Sequence, residues 1–399
     1  MNVQSARFPL MDSLRAIAAL SVFVYHLAFV LGWFDEGLAG RYLRELNLGV
    51  SIFFVLSGFL LYRPFVAARV EGEPSPALVP YAIRRVARIV PAYWVALTII
   101  AIWLPVSGVF TAEGIVIYYG FLQAYDPDTI TGGIGQAWTL TVEVSFYILL
   151  PILALGLRRV RGPVVRGELM MVAVLFAAGV LWKVLMLRSG GSLSGSLTAF
   201  VTLPAFLDQF AVGMGLAVAS VVVARRADEP APVRVVSQRP WLAWLVAAIA
   251  FAALGAREGV VAWGSGSELI ETHELKTVVA AGLILPAVFG EASEGWVRRV
   301  LAFRPLLWLG LVSYAFYLWH LAILEKLDRA GLASDLGALP YALIALVATA
   351  AVAAASWYGL ERHALRLGRR LAGGPPGALE TRAPATPLAG SPDPSGRRA

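Results

Sequence analysis

Ten apolar windows, each close to the ~20 residues that carry a helix across a bilayer, divide this chain almost from end to end. They lie near 9–31, 47–68, 89–109, 138–157, 168–188, 203–224, 240–256, 275–290, 301–324 and 339–361. The intervals leave no stretch in which a soluble domain could bury a core. The pattern predicts an all-α, polytopic integral membrane protein with about ten transmembrane helices. The seventh and eighth windows are short, and 113–124 is too short to span; it reads as a half-embedded turn in an outer loop. Composition agrees: 58% of residues are hydrophobic, 15% are charged, and the mean hydropathy is +0.71.

Charge sets the expected orientation. The loops at 1–8, 62–88, 158–166, 225–239, 298–304 and 362–370 hold 21 Arg and no Lys, whereas the opposite set holds seven basic residues. The positive-inside rule then places both termini in the cytoplasm. The net charge of +7 is dispersed between apolar segments rather than gathered in a patch, which argues against nucleic acid. The absence of cysteine excludes thiol chemistry and Cys-based zinc sites, and four histidines are little material for a metal centre. No metal and no permanently bound cofactor is expected. Residues 1–371 read as one membrane domain, with a first helix that is retained rather than cleaved. Residues 372–399, rich in Pro, Gly and Ala, read as a disordered cytoplasmic tail. There is no phosphate-binding G-x-x-x-x-G-K-[ST] loop and no internal repeat. Gly213 and Gly215 read as close-packing positions between helices.

Polar residues inside the windows are the candidates for chemistry, because an ionisable group costs a few kcal/mol within a span. Arg15 and His26 share the first window. Eleven residues apart, they stand about 20° from an integral number of turns and roughly 16 Å apart along the axis, on one helix face. Counted from the outer ends, His26, Glu143, Asp208 and His320 fall at similar depth on four helices, which predicts a shared outer-half cavity. Each has a plainer reading: a satisfied core histidine, a buried ion-pair partner, or, for His320 beside Trp319, a residue of the aromatic belt. His273, in an acidic outer loop, and His363, after the last window, read as solvated bystanders. Before the third window, Arg85 and Arg88 are three apart and neighbours on one face. Such a pair serves either as a snorkelling anchor or as a bidentate phosphate binder.

Five stretches, in order, resemble acyltransferase family three, the polytopic membrane acyltransferases that modify sugars and related molecules. They are Arg15 and His26 within LRAIAALSVFVYH; GVSIFFVLSGFLL, which contains Ser57; Arg85, Arg88, Pro91 and Tyr93; WTLTVEVSFYILLP with Trp138 and Glu143; and SYAFYLWH with Ser313, Tyr314, Tyr317 and His320. The resemblance covers nearly all of 9–361. It departs at Met11, where the family has Leu, and in carrying no esterase-like domain after the last window. The resemblance implies a multi-pass enzyme of the cell membrane, in a bacterium the inner membrane. It would take an acetyl or other short acyl group from cytosolic acyl-coenzyme A to a hydroxyl of a carbohydrate, glycolipid or glycosylated metabolite. By the same resemblance His26 is the catalytic base, suited by an unperturbed pKa near 6.5. Arg15, Arg85 and Arg88 bind the donor's phosphates, and Glu143 orients His26. His320, Asp208, Ser57, Tyr317 and Trp138 remain as candidates for acceptor binding or support. Two rival readings use the same intramembrane charges: a secondary or proton-coupled transporter, and a structural scaffold.

Overall fold

The computed structural model describes residues 8–160, 162–189, 198–257, 267–290 and 294–373. The tail from 374 onward lies outside them. Ten long helices run through the described residues: α1 (Met11–Val30), α2 (Gly49–Glu71), α3 (Leu78–Trp103), α4 (Trp138–Leu157), α5 (Val164–Arg188), α6 (Leu207–Val223), α7 (Pro240–Gly255), α8 (Ser267–Val288), α9 (Arg304–Arg329) and α10 (Ala338–Ser356). Hydrocarbon offers the backbone no partners, so apolar segments satisfy their own peptide groups as helices. Pro64, Pro91 and Pro151 sit inside α2, α3 and α4, as membrane helices tolerate.

Eight of these helices are long and apolar enough to cross a membrane, which makes this a multi-pass membrane protein. The other two are α7 and α8, the short windows of the sequence. Helix α7 has 16 residues and meets the short helix Ala231–Gln238 at 91°. Helix α8 has 22 residues, but Glu268, Glu271, Glu274 and Lys276 crowd its first half. The two pack closely: a Cβ on Gly282 would stand 2.7 Å from the Ala243 carbonyl. Segment 113–124 forms another short helix, Ala112–Tyr119, capped by the Thr111 hydroxyl on the Gly114 amide.

Small residues set the helix spacing. A Cβ on Gly58 would lie 2.3 Å from the Phe210 carbonyl, and one on Gly213 would lie 2.1 Å from that of Val55, so α2 and α6 touch backbone to backbone. Gly215, read from sequence in the same way, meets only an ordinary contact with Val172. Gly310 of α9 packs against the Asp12 carbonyl of α1. Further along both helices Phe23 meets Phe316, at 5.7 Å between ring centroids, and His26 meets His320. The contacts follow the same order on each helix, so α1 and α9 run parallel. Parallel spans need an odd number of crossings between them. Helices α7 and α8 therefore cross together or not at all.

Candidate active site

Five helices enclose a chamber of about 100 Å³ on the N-terminal side of α1, labelled inner against a second, labelled outer, on its C-terminal side. Arg15 of α1, Ser57 of α2, Arg85 and Arg88 of α3, Glu143 of α4 and Tyr317 of α9 all face it. These are six of the residues singled out from sequence, drawn from five of its stretches. Arg85 and Arg88 lie over the rings of Tyr147 and Tyr314, at 5.8 and 5.9 Å. Among the described residues neither makes an ion pair, and Arg85 Nε is buried without a hydrogen-bond partner. Arg15 bonds Asp12 at 3.0 Å.

Glu143 accepts a hydrogen bond from Ser57 Oγ at 2.7 Å. Its expected contact with His26 is replaced by this one. Position along a helix fixes height but not the direction in which a side chain points.

A larger outer chamber, of about 430 Å³, adjoins the first, and Val50, Thr139 and Tyr317 line both. His26 and Trp138 face this second space. The partner of His26 is His320, buried completely on α9. His320 Nδ1 lies 2.8 Å from the Tyr317 carbonyl, and His320 Nε2 lies 3.0 Å from His26 Nδ1. A carbonyl can only accept, so His320 carries its proton on Nδ1 and its Nε2 is an acceptor. His26 Nδ1 must then be the donor, an assignment reinforced by the Val22 carbonyl at 3.0 Å. The neutral His26 ring is left with a lone pair on Nε2, which has no hydrogen-bond partner among the described residues. Such an imidazole is poised to accept a proton. Hydrogen bonds tie the wall between the chambers: Gln136 Nε2 donates to the Tyr317 carbonyl at 2.8 Å, and the Thr139 and Tyr317 hydroxyls lie 2.7 Å apart.

Asp208 stands apart from the expected cavity. It is fully buried in an ion pair with Lys183 of α5, whose ammonium also bonds Glu274 at 2.8 Å. His273, expected in solvent, is instead half-buried on α8, packed on Phe206 at 4.9 Å and facing the outer chamber. Of the acidic neighbours that made the segment look like a solvated loop, Glu274 is bonded by Lys183, whereas Glu268 and Glu271 stay exposed and Glu271 pairs with Arg257. His363 is exposed as expected. The sequence reading passed over Gln136, Thr139, Gln209 and Lys183. A lysine five residues from the end of a 25-residue apolar helix was the signal available for the last of these.

Comparison with known proteins bears on this arrangement. A family model described as an acyltransferase domain matches residues 9–358. The peptidoglycan O-acetyltransferase OatA of Listeria monocytogenes is 24% identical over 333 residues, covering 79% of this chain and 49% of that protein. The chain thus spans about half the length of this relative. Nodulation protein 10 of Rhizobium leguminosarum is 26% identical, with 89% and 93% covered. The exopolysaccharide production protein ExoZ of Rhizobium meliloti is 28% identical, with 80% and 90% covered. No solved structure matches.

Proposed function

Because the chain belongs to the acyltransferase family, we propose that it is a membrane O-acyltransferase carrying a short acyl group from acyl-coenzyme A to a hydroxyl of a cell-envelope carbohydrate. The observation that carries this reading is the pair of adjoining chambers, one lined by three guanidinium groups and the other by an imidazole with a free lone pair. Arg15, Arg85 and Arg88 suit the phosphates of the donor, since guanidinium forks bind phosphate oxygens in pairs. The thioester then reaches the wall formed by Val50, Thr139 and Tyr317. A sugar hydroxyl in the outer chamber gives its proton to His26 Nε2 as its oxygen attacks the thioester carbonyl. The carbon–oxygen bond forms and the carbon–sulfur bond breaks. The departing thiolate takes the proton back from the imidazolium, so an ester and free coenzyme A are the products.

The relatives' names supply the acceptor class: peptidoglycan in one case, exopolysaccharide in another. Full-length protein in detergent, given radiolabelled acetyl-coenzyme A with de-O-acetylated fragments of either polymer, should transfer label to one of them. If it neither binds nor consumes the thioester, the transporter and scaffold readings regain the field.

Orientation belongs to the same proposal. With both termini in the cytoplasm, the inner chamber opens toward cytosolic donor and the outer chamber toward the cell exterior. The chain has no native cysteine, so single thiols are unambiguous probes. Asp128→Cys should react with an impermeant maleimide on intact cells, and Asp228→Cys only after permeabilisation. The reverse pattern would invert the assignment.

A further inference from the structure

Four titratable side chains lie outside the machinery just described and yet form one connected cluster: Lys183, Asp208, Glu274 and His273. Lys183 and Asp208 are fully buried and paired. Burying an ion pair among apolar helices rarely stabilises a fold more than well-packed apolar residues would, so stability alone is a weak account of this cluster. Its geometry supplies another. Lys183 Nζ lies 3.3 Å from His273 Nδ1, and Gln209 Nε2 lies 3.5 Å from the same atom. An ammonium has donors only, so Nδ1 must accept, and the proton of the neutral ring sits on Nε2. That Nε2–H has no partner among the described residues, and the ring lines the outer chamber.

The chamber therefore receives two histidines of opposite tautomer. His320 makes His26 present a lone pair, and Lys183 makes His273 present an N–H. Trp138, Phe206 and His273 form a row of rings lining the same chamber, with centroid separations of 5.8 and 4.9 Å. An aromatic wall with a few fixed polar groups is how protein sites take polar ligands that also carry apolar faces, and a pyranose is one.

We propose that His273 is an acceptor-binding residue, whose Nε2–H donates to a second oxygen of the sugar while His26 faces the hydroxyl to be acylated. Lys183 is its positioning residue, and Asp208 and Glu274 neutralise the ammonium so that it can stay buried behind the ring. The proposal rests on the outer chamber's being the acceptor site.

Two measurements test it on the full-length protein in detergent. The first uses ¹⁵N-histidine labelling, each of the four rings being assigned by its loss on substitution. His273 should show the Nε2–H tautomer, and Lys183→Met with Asp208→Asn should relax it toward a mixture. The second is kinetic, with whichever polymer fragment the parent acetylates. His273→Phe should raise the acceptor KM about tenfold, the loss of one hydrogen bond, with a smaller change in the donor KM. His273→Gln, whose amide N–H reaches about as far as Nε2, should recover most of it. Thermal unfolding in detergent identifies any variant that fails to fold, and the tautomer measurement then decides. A folded His273→Phe with parental acceptor KM, or an Nδ1–H tautomer in the parent, overturns the proposal. If the parent acylates neither fragment, it is the acceptor-site reading that has failed.

Discussion

The two chambers share a wall and differ in electrical character. Facing the inner one are Arg15, Arg85 and Arg88 against a single carboxylate, Glu143. Only Arg15 of the three has an acidic partner within the described residues, Asp12 at 3.0 Å. The outer chamber is balanced: it is lined by Arg44 and Lys276 and by Glu45 and Glu325, and Lys276 bonds Glu45 at 2.9 Å. A site that keeps excess positive charge beside a membrane is built for an anion. One that pairs its charges and fixes its imidazole protons is built for a neutral ligand read by hydrogen bonds. That contrast is what the proposed transfer from a nucleotide thioester to a sugar requires.

The strongest way to break the comparison is at His26, the proposed base of the outer chamber. His26→Ala should lower acyl transfer about 10²- to 10⁴-fold, the usual contribution of a positioned general base, with the helices intact by circular dichroism. Near-parental turnover would leave the outer chamber without chemistry of its own. The inner chamber is tested next. Arg85→Ala and Arg88→Ala should each weaken acetyl-coenzyme A binding by roughly 1.5–3 kcal/mol, the worth of a charge-assisted hydrogen bond. Lysine should rescue only partly, since a point charge lacks the planar fork. Titration calorimetry decides, and unchanged affinity in both would return the pair to the role of membrane anchor.

A smaller effect separates the base from the residue that sets its tautomer. His320→Leu should slow turnover about 10- to 100-fold, by analogy with losing the outer partner of a metal-bound imidazole. The donor's Kd should hold. His320→Gln keeps an oxygen that can accept from His26 Nδ1–H and should restore much of the rate. Equal rates for the two variants would mean that His320 acts through packing alone.

How far all this was legible in the sequence depends on what each inference needed. The Arg15 and His26 spacing needed only helix geometry, and both side chains face the chambers as their shared helix face requires. The spans needed only apolar length, which is why eight helices are clear and α7 and α8, one short and one charged, are not. The pairing of His26 needed rotation about the helix axes. Depth counting put His26, Glu143, Asp208 and His320 at one level, but only His26 and His320 meet. Gly310 against Asp12 brings α1 and α9 together, the two rings meet further along the same pair, and that is a property of the packed helices. His273 needed a tertiary partner: ETHELK reads as a solvated segment until Lys183, 90 residues earlier, is seen to contact His273 and Glu274 within it.

The smallest predicted effect is also the most direct reading of the difference between the chambers, because it needs no mutation. Between 0.1 M and 1 M salt the screening length falls from about 10 Å to about 3 Å. Attraction between the donor's phosphates and the charges of Arg85 and Arg88, which make no ion pair among the described residues, should weaken accordingly. Partly buried charges are screened less than exposed ones, so the donor KM should rise by a factor of roughly three to ten rather than by orders of magnitude. The acceptor KM should stay within about twofold, since a neutral sugar gains nothing from the balanced charges of Arg44, Glu45, Lys276 and Glu325. Both constants come from one steady-state grid in which donor and acceptor are varied at each salt concentration. Should the two KM values climb together, the salt acts on the protein or its detergent shell rather than on one chamber. Should only the acceptor KM climb, the acceptor is itself charged, and Lys276 and Arg44 become the residues to substitute next.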